Sequence, residues 1–570
     1  MVRQFWAMMV GVLVVGIGGA ACGPQAAPGP QGVPAAAVQA KHVVAAIGGE
    51  PPALHRAALA TVSGIPGADA IDEIMNAGLA LRDNAAQYRP ELAEAVPSVE
   101  NGLWKLFPDG RMEMTWTIRP GARWHDGAPF TAEDAVFTAR IAQDRNLPFY
   151  NASIRFLEGV EAQDERTIVA RWSQPFIDAQ RLFSNEMALP IPRHLLEQAY
   201  VENRDNFLNL PHWSDQYVGT GPFRLRELVR GSHVTLEAFD AYVLGRPKID
   251  VLEIKFILDA NTAIANILAG RVELIVGDFL SLEQSVRLRD QWPAGRMETD
   301  LSAMKGLNMQ FIEPAPRVLL NVQFRRALYY GMDRQTMADS FVYGLTAPSL
   351  TVLTGVLDPT GLLREMEAGL MRYDYDPRRA AQLIEGLGYS KGADGFYQDA
   401  SGERLQSLEV RTPGEDDESA KIVFATVDGW QRLGIPSEVN VVPRQLVANR
   451  EYRATRPGLL IQGGNHGLDS LIRFQGNQIP SAATNWVGSN LSNYSNPDLD
   501  ALYERYLTTV ALRERAQVVN QILRHYNEWL PYFPIYKTVE PTMIANRLVN
   551  VYPGNSWTTQ AWNAHEWDVR

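Results

Sequence analysis

Apolar residues recur along this chain in two spacings, one typical of helices and one typical of short buried strands. Near the C-terminus, Leu499, Leu502 and Tyr506 fall on one face of a helix. Elsewhere a helical stretch ends at a glycine and an apolar run follows, as where 262–268 precede 272–276. This repeated alternation of helix and strand predicts an α/β fold.

Capping residues indicate where several of the helices begin. Thr131 and Asp134 have the spacing of a capping box. Asp376 and Asn496 each precede a proline, which fits the first turn of a helix. Asp333 is placed to cap a further helix, so at least four helix starts are predicted from local sequence alone.

A continuous apolar pattern occupies the start of the chain instead. Behind Arg3, the run from Phe5 to Ala21 is too short to span a bilayer comfortably, and small residues precede Cys22. This order is typical of a signal peptide, and it resembles the signal of bacterial lipoproteins, in which the cysteine becomes the first mature residue and carries lipid. We therefore expect a lipoprotein signal peptide at 1–22 and lipidation at Cys22; an uncleaved anchor helix is the alternative.

The rest of the sequence sets limits on the architecture. Residues 23–41 are rich in proline, glycine and alanine, which predicts a flexible tether. The chain of 570 residues is too long for a single compact core, so we expect two or more lobes. After the leader, no apolar run approaches the length needed to span a bilayer.

Composition argues against several classes of function. A net charge of -12 disfavours a nucleic-acid partner, because such a surface repels phosphate groups. With Cys22 lipidated, the mature chain has no thiol for a disulfide, a nucleophile or a metal site. The nine histidines include no pair at metal-ligand spacing, so we expect neither a bound metal nor another cofactor.

Several motifs in a fixed order resemble one family. Residues 115–134 read TWTIRPGARWHDGAPFTAED, residues 219–225 read GTGPFRL, and residues 323–334 read QFRRALYYGMDR. Further matches are GGEPPAL at 48–54, LAEA at 92–95, YDPRRAAQLIEGLGY at 375–389 and NYSNPDLDAL at 493–502. Together these segments resemble the bacterial extracellular solute-binding proteins of family 5, the oligopeptide, dipeptide and nickel receptors of ABC importers.

The resemblance implies a bilobal, periplasmic-binding-protein-like α/β fold of the large two-hinge type. Lobe I is expected at 42–305, with an inserted subdomain at about 86–215. Lobe II is expected at 306–539, and the tail at 540–570 returns to lobe I. Two segments that cross between the lobes, near Gly306 and near Ile535, would form the hinge.

The resemblance also implies a function. A solute is captured between two closing lobes and delivered to an ABC permease and ATPase complex, without any chemistry by this chain. We expect a monomer outside the cytoplasm, lipid-anchored at the outer face of the cytoplasmic membrane, in the periplasm or at the cell surface. Peptide is the family's commonest ligand, and an oligosaccharide or another polar organic solute stays open.

The expected ligand-binding loop departs from the family pattern. In the peptide-binding members, an aspartate grips the peptide's amino terminus and a tryptophan precedes it. Here the best gap-free match places His466 at that aspartate, and Gly463 or Gly464 where the tryptophan is usual. Since histidine cannot replace a carboxylate as the anchor of an ammonium group, the motif for a peptide ligand is broken. We still expect Gly464, Asn465, His466 and Asp469 to face the ligand, with a plain surface turn as the alternative.

Two residues elsewhere are further candidates for ligand contact. Trp486 offers an indole that can stack on a sugar, ring or peptide plane, unless it is a core residue. Asn76 stands where the family often places a cleft residue from the first lobe, and a helix-surface asparagine is the alternative. Arg325 and Arg326 are expected to pair with carboxylates on a solvated helix face.

Other classes of function remain open at this stage. A secreted glycoside or peptide hydrolase would need paired carboxylates, for which Asp72 and Glu73, or the acidic run at 415–418, are the candidates. Neighbours in sequence on a helix do not face each other, which disfavours the first pair. The second reads as a loop and a helix start. A surface sensor or chaperone that uses the same cleft without transport is the third class.

Overall fold

The computed structural model describes residues 40–59, 65–150, 152–353, 366–414, 416–447, 449–464, 471, 473–555 and 558–570. Residues 41–570 form one compact unit. The expected signal peptide with Cys22, nearly all of the expected tether, and Asn465, His466 and Asp469 lie outside the described residues.

Twenty strands are named here in chain order. They are β1 (His42–Ile47), β2 (Ala80–Arg82), β3 (Tyr88–Pro90), β4 (Trp104–Leu106), β5 (Met112–Thr117), β6 (Leu157–Ala162), β7 (Thr167–Trp172), β8 (Phe223–Val229), β9 (His233–Ala238), β10 (Val251–Phe256), β11 (Leu274–Ile275), β12 (Gly295–Asn308), β13 (Ser390–Lys391), β14 (Tyr397–Gln398), β15 (Leu408–Pro413), β16 (Ser437–Val442), β17 (Leu459–Gly464), β18 (Tyr532–Ala545), β19 (Leu548–Val549) and β20 (Asp568–Val569).

Fourteen α-helices are named in the same way. They are α1 (Arg56–Leu59), α2 (Ala68–Met75), α3 (Ala132–Ala142), α4 (Arg193–Glu202), α5 (Ala260–Leu268), α6 (Leu282–Gln291), α7 (Val322–Tyr330), α8 (Arg334–Phe341), α9 (Pro377–Glu385), α10 (Asp417–Leu433), α11 (Arg444–Val447), α12 (Arg450–Ala454), α13 (Pro497–Thr508) and α14 (Leu512–Trp529). Strands and helices alternate along much of the chain, so the predicted α/β class is confirmed.

A ten-stranded sheet runs through the molecule in the order β16-β15-β17-β12-β18-β11-β1-β10-β9-β8. Strand β1 is parallel to β10 and β11 at one end, and β15 is parallel to β16 and β17 at the other. Between these parallel groups, β12 and β18 pair in antiparallel fashion from Gly295–Ala545 to Asn308–Tyr532. These two strands of 14 residues each therefore belong to both halves of the sheet.

Each half has its own apolar core. Met543 and Ile544 of β18 pack into a core built around β1, β10 and β11. Further along the same strand pair, Leu307 and Phe533 belong to a second core with β15, β17 and α10. We call the half around the first core lobe I and the half around the second core lobe II. The bilobal arrangement is as expected, while the exact residue limits of the lobes stay a prediction.

A separate four-stranded sheet, β4-β5-β7-β6, lies within the region expected to be the inserted subdomain. Its apolar core includes the buried indoles of Trp116, Trp124 and Trp172. The predicted capping box at the start of α3 is present, with Thr131 and Asp134 exchanging hydrogen bonds. Asp333, Asp376 and Asn496 also cap their helices as predicted.

The sequence motif at 115–134 contacts the motif at 219–225. The backbone N–H of Gly219 donates to Nδ1 of His125 at 3.1 Å, and the backbone N–H of His125 donates to the carbonyl of Gly219 at 2.9 Å. A Cβ added at Gly219 would lie 2.1 Å from the carbonyl oxygen of Met75, so only glycine fits at this close approach. Both motifs therefore serve packing at the end of α2.

The expectation for Arg325 is wrong. Its side chain is only 1% exposed, and it donates to the carbonyl of Trp529 at 2.7 Å and to that of Leu319 at 2.8 Å. Arg326 donates to the carbonyl of Glu528 at 3.1 Å. Both guanidinium groups thus bind carbonyls at the C-terminal end of α14, where the helix dipole attracts a cation. No helix in the described parts of the chain combines the length and hydropathy of a membrane span.

Candidate functional site

Among the described residues, the strongest candidate for a site is a cavity of about 710 Å³ beside the two shared strands. It is lined by Asp278 after β11, the start of α6, the middle of β12, the end of α8, the start of α10, Gly463 of β17 and the Thr538–Pro541 segment of β18. Strands β11, β15 and β17 all end here, and ligands of open α/β sheets bind at such carboxyl ends. The volume falls in the range of small-ligand sites.

Lys305 joins the shared strand β12 to the start of α10. It is 7% exposed, and its Nζ donates to Asp416 at 2.6 Å and to Ser419 at 2.9 Å. Asp416 also caps α10 by accepting the backbone N–H of Ser419. Burial raises the pKa of Asp416, but Lys305 and Ser419 outweigh that effect, and the net pKa lies below its ordinary value.

Carboxylates gather at the lobe I end of the cavity. Asp300 of β12 and Glu540 of β18 are directly opposite in the antiparallel pair, and Asp278 approaches from the end of β11. Burial raises the pKa of Glu540 to about 7; Asp278 and Asp300 add to the rise, while hydrogen bonds with Ser302 and Gln560 oppose it. The carboxyl group of Glu540 is therefore close to half-protonated at neutral pH.

An ion pair connects the two lobes across the cavity. Nζ of Lys421 on α10 lies 3.5 Å from Oε2 of Glu283 on α6. Glu283 also contacts Arg287 on its own helix. Both side chains of the Lys421–Glu283 pair are about half exposed, so the pair adds little to stability, but it marks the place where the two walls approach each other.

The predicted binding loop begins at this cavity. Gly464 ends β17, where it pairs with Met304, and its neighbour Gly463 lines the cavity. A Cβ at Gly463 would lie 3.5 Å from the side chain of Lys305, so the strand passes close to the buried ammonium group. Whether the loop itself contacts a ligand stays a prediction, because three of its predicted residues lie outside the described part of the chain.

The other two predicted residues are not among those that line this cavity. Trp486 is half-buried, has a positive φ of 59°, and belongs to none of the four apolar cores of the described residues. Asn76 is 6% exposed, and its amide donates to Asp72 at 2.9 Å and accepts from the hydroxyl of Tyr217 at 2.9 Å. Ligand contact by either residue stays a prediction.

The carboxylates considered for a hydrolase are held by other groups. Oδ1 of Asp72 accepts the backbone N–H of Arg56 at 3.1 Å, and Oε1 of Glu73 accepts the amide of Asn185 at 2.7 Å. Burial raises the pKa of Asp72 to about 6. In the acidic run at 415–418, Asp416 is the helix cap described above and Glu418 accepts the hydroxyl of Tyr536 at 2.8 Å.

Sequence reasoning missed Lys305, Asp278 and Glu540. A local signal existed for Asp278, because it follows an apolar strand at its carboxyl end, as Asp416 does. No local signal existed for Lys305 or Glu540, since they reach the same cavity only through the pairing of two strands that are more than 200 residues apart in sequence.

Known proteins resemble this chain over most of its length. The family model described as "Bacterial extracellular solute-binding proteins, family 5 Middle" matches residues 87–495. A putative ABC transporter peptide-binding protein of Brucella ovis is 27% identical over 301 residues, which cover 52% of this chain and 54% of the relative. The chain thus spans about half the length of this relative. Heme-binding protein A of Haemophilus influenzae is 25% identical over 498 residues, 82% of both chains.

Solved structures share the fold. The ABC transporter substrate-binding protein CtaP of Listeria monocytogenes superposes with a TM-score of 0.73 at 20% identity. The superposition covers 93% of this chain and 99% of that protein. The overall architecture expected from the motifs is therefore confirmed by a structural comparison that spans nearly the whole molecule.

Proposed function

This chain belongs to the bacterial extracellular solute-binding proteins of family 5, and from that premise we propose that it is the solute-capturing component of an ABC importer. It binds a solute between its lobes and delivers it unchanged to a permease and ATPase complex. The observation that carries the proposal is the cavity lined by both lobes and by the two strands that join them. Names of related proteins that contain "peptide-binding" or "heme-binding" support a binding role rather than an enzymatic one.

The proposed mechanism is closure around the solute. Lobe I comprises 42–305 with the inserted subdomain at 86–215, lobe II comprises 306–539, and 540–570 return to lobe I. In the open form a solute meets one wall, and in the closed form it meets two, so binding favours closure. The register of the β12–β18 pair shifts between Leu301 and Met304 and again between Lys305 and Gly306. Such irregularities weaken the ladder at the place where the two lobes would pivot.

Peptide is the first candidate for the solute, in line with the name of the Brucella relative. A polar organic solute of another kind is the second candidate, because Gly463 and His466 stand where the family's peptide-binding members place a tryptophan and an aspartate. Contacts are proposed from Gly464, the loop with Asn465, His466 and Asp469, and Trp486. Asn76 would have to release Asp72 and Tyr217 before contacting a solute.

The family is described as extracellular. We extend this to a monomer that is tethered by 23–41 and anchored through lipid on Cys22 at the outer face of the cytoplasmic membrane. Replacing Cys22 with alanine should move the protein from washed membranes to the soluble fraction, because the lipid attachment site is lost. A protein that stays membrane-bound after this change would contradict the lipid anchor.

The receptor role is tested with the chain from residue 23 onward, a panel of peptides, oligosaccharides and haem, and calorimetry. We expect at least one class to bind with one site per chain, and mass spectrometry to recover it unchanged. Hydrolysis of the bound compound, lost on mutation of a cavity carboxylate, would replace the receptor by an enzyme. Absence of binding across all classes would also contradict the proposal.

A further inference from the structure

Another cavity, of about 180 Å³, shares no lining residue with the cavity beside the two long strands. Its wall is formed by the start of α1, the end of α3, and the segments 148–150 and 185–191. It therefore lies where the core of lobe I meets the region expected to be the inserted subdomain. An apolar cavity of about 150 Å³ is large enough to hold benzene, so this cavity has room for one small ring.

Much of the wall is apolar. The side chains of Ile141, Phe149, Met187, Leu189 and Ile191 contribute to it, and all five residues are buried. Such a wall favours an apolar ligand body, because it gives water few hydrogen-bond partners.

The charged side chains of the wall, Arg56 and Glu186, are already paired. The guanidinium group of Arg56 lies 3.5 Å from Glu73. The carboxylate of Glu186 lies 3.2 Å from Arg82 and 3.0 Å from Arg181. An ion would gain no unpaired counter-charge from the described residues of this wall, and its burial would be costly, so the wall favours a neutral ligand.

His55 brings an unused hydrogen-bond donor to the wall. It is 2% exposed, and its Nδ1 accepts the backbone N–H of Ala57 at 3.1 Å. Burial, with a smaller contribution from Arg56, lowers the pKa of His55 to about 3, so the imidazole is neutral at pH 7 and carries its one hydrogen on Nε2. Nε2 is buried and has no hydrogen-bond partner among the described residues. A buried donor without a partner costs free energy.

Asn185 brings an unused acceptor to the same wall. Its Nδ2 donates to Glu73 at 2.7 Å, which fixes the orientation of the amide, and its Oδ1 is buried without a partner in the described parts of the chain. Nη1 of Arg56, the residue after His55, donates to the carbonyl of Asn185 at 3.1 Å. The segments that carry the unused donor and the unused acceptor are therefore tied together.

We propose that this cavity is an accessory binding site for a small, neutral ring compound with a hydroxyl group, of which phenol is the simplest. The ring fills the apolar part of the cavity. The hydroxyl oxygen accepts from Nε2 of His55, and the hydroxyl hydrogen is donated to Oδ1 of Asn185. One ligand group then satisfies both unused groups of the wall. The site is separate from solute capture between the lobes and does not depend on it.

The test compares four compounds of similar size by ligand-observed NMR titration at pH 7. Phenol can accept and donate a hydrogen bond, anisole can only accept, toluene can do neither, and benzoate carries a charge. We expect saturable binding of phenol with a dissociation constant below about 1 mM. Anisole and toluene should bind about fivefold to tenfold more weakly, because each lacks at least one of the two hydrogen bonds. Benzoate should bind more weakly than phenol as well, because its charge is not compensated.

Variants locate the site. His55→Phe removes the donor and keeps a ring, and Asn185→Ala removes the acceptor. Each should weaken binding of phenol about fivefold to tenfold and change the affinity for toluene less than about twofold. Thermal unfolding shows which variants are folded, and if His55→Phe is not, Asn185→Ala carries the same comparison.

The matched control is His212→Phe. This imidazole is also buried, and neither of its nitrogens has a partner among the described residues, but it does not line the cavity. The control should leave the affinity for phenol unchanged.

A preference for phenol that is lost in the folded cavity variants and kept in the control supports the inference. Equal affinity for phenol, anisole and toluene, or tightest binding of benzoate, overturns it. No saturable binding of phenol, or an unchanged affinity for phenol in the folded cavity variants, also overturns it. None of these results alters the proposed receptor function, which rests on the cavity between the lobes.

Discussion

At the residue scale, Lys305 shows how the site depends on a buried charge. Its ammonium group is covered by the start of α10 and is neutralised by Asp416 at 2.6 Å. Removing one partner of such a pair costs more than the pair itself contributes, because the other charge is left without compensation. The carboxylate of Asp416 keeps partial contact with solvent, which reduces the free-energy cost of leaving it without Lys305.

Replacing Lys305 with methionine should therefore lower the free energy of unfolding by about 2 kcal/mol. Urea unfolding of the two proteins measures the difference. The control is Lys255→Met on β10, whose lysine is more exposed and lies 3.7 Å from Glu253. We expect the control to stay within about 0.5 kcal/mol of wild type. An equally small effect of Lys305→Met would show that the ion pair is not a structural element of the cavity.

Buried histidines make stability depend on pH. Burial lowers the pKa of His212 to about 3, and neither ring nitrogen of His212 has a hydrogen-bond partner among the described residues. Its unfolded pKa is about 6.5. Between these two pKa values the imidazole of His212 is protonated in the unfolded chain and neutral in the folded protein. His212 therefore lowers the free energy of unfolding progressively as the pH falls from 6.5 towards 3.

In His212→Gln this proton is absent from both states. The free energy of unfolding of the variant, relative to that of wild type, should therefore rise by about 1.4 kcal/mol for each unit by which the pH falls between 6 and 4. Urea unfolding of both proteins at pH 6, 5 and 4 measures this difference. The contribution of other titrating groups, such as Glu540 with its raised pKa, is the same in both proteins and cancels in the difference. A difference that does not change with pH would mean that His212 is protonated in the folded protein.

Trp486 tests the predicted aromatic platform. Because its indole is only half-buried and lies outside the apolar cores, Trp486→Ala should leave the melting temperature nearly unchanged. It should weaken binding of the tightest-binding solute of the panel about tenfold, as loss of one stacked ring does. Trp529→Ala, at an exposed indole on α14, is the control and should not alter affinity. Parallel losses of melting temperature and affinity in Trp486→Ala would identify a structural residue.

At the element scale, β12 and β18 decide the geometry of the molecule. Sequence reasoning placed crossing segments near Gly306 and Ile535, and these positions lie within the paired strands. It also located helix starts at Thr131, Asp333 and Asp376, because caps are read from a few neighbouring residues. It missed the role of Arg325 and the meeting of Lys305 with Asp416, because those contacts join elements that are distant in sequence. Capping rules therefore predict where single helices begin. The cavity residues on β12 and β18 are brought together by the pairing of these two strands, which such rules do not predict.

The close packing of the two shared strands predicts a sensitive glycine. A Cβ at Gly306 would lie 2.3 Å from the ring of Tyr532. Gly306→Ala should therefore lower the free energy of unfolding by about 1–3 kcal/mol, because the ring must move in a filled core. Gly159→Ala on β6, where nothing lies within 4 Å of the added atom, is the matched control. If both substitutions have the same effect, the crowding at Gly306 has no energetic consequence.

At the scale of the whole molecule, two long strands, β12 and β18, join two cores on one continuous sheet. The class of fold and its bilobal character followed from sequence motifs that cover most of the chain. The charge of the cavity did not, since Asp278, Lys305 and Glu540 come together only in the folded protein. If the lobes close on a solute, the distance between them must become shorter when the solute binds.

The most direct measurement is therefore an interlobe distance with and without solute. The chain after Cys22 contains no cysteine, so Asn261→Cys and Gln445→Cys give two unique labelling sites. Both residues are exposed and lie just beyond the carboxyl ends of β10 and β16, on opposite lobes. With the probe that calorimetry shows to bind, pulsed electron paramagnetic resonance should give a shorter and narrower distance distribution than without it. An unchanged distribution in the presence of bound probe would contradict closure and, with it, the proposed mechanism of capture.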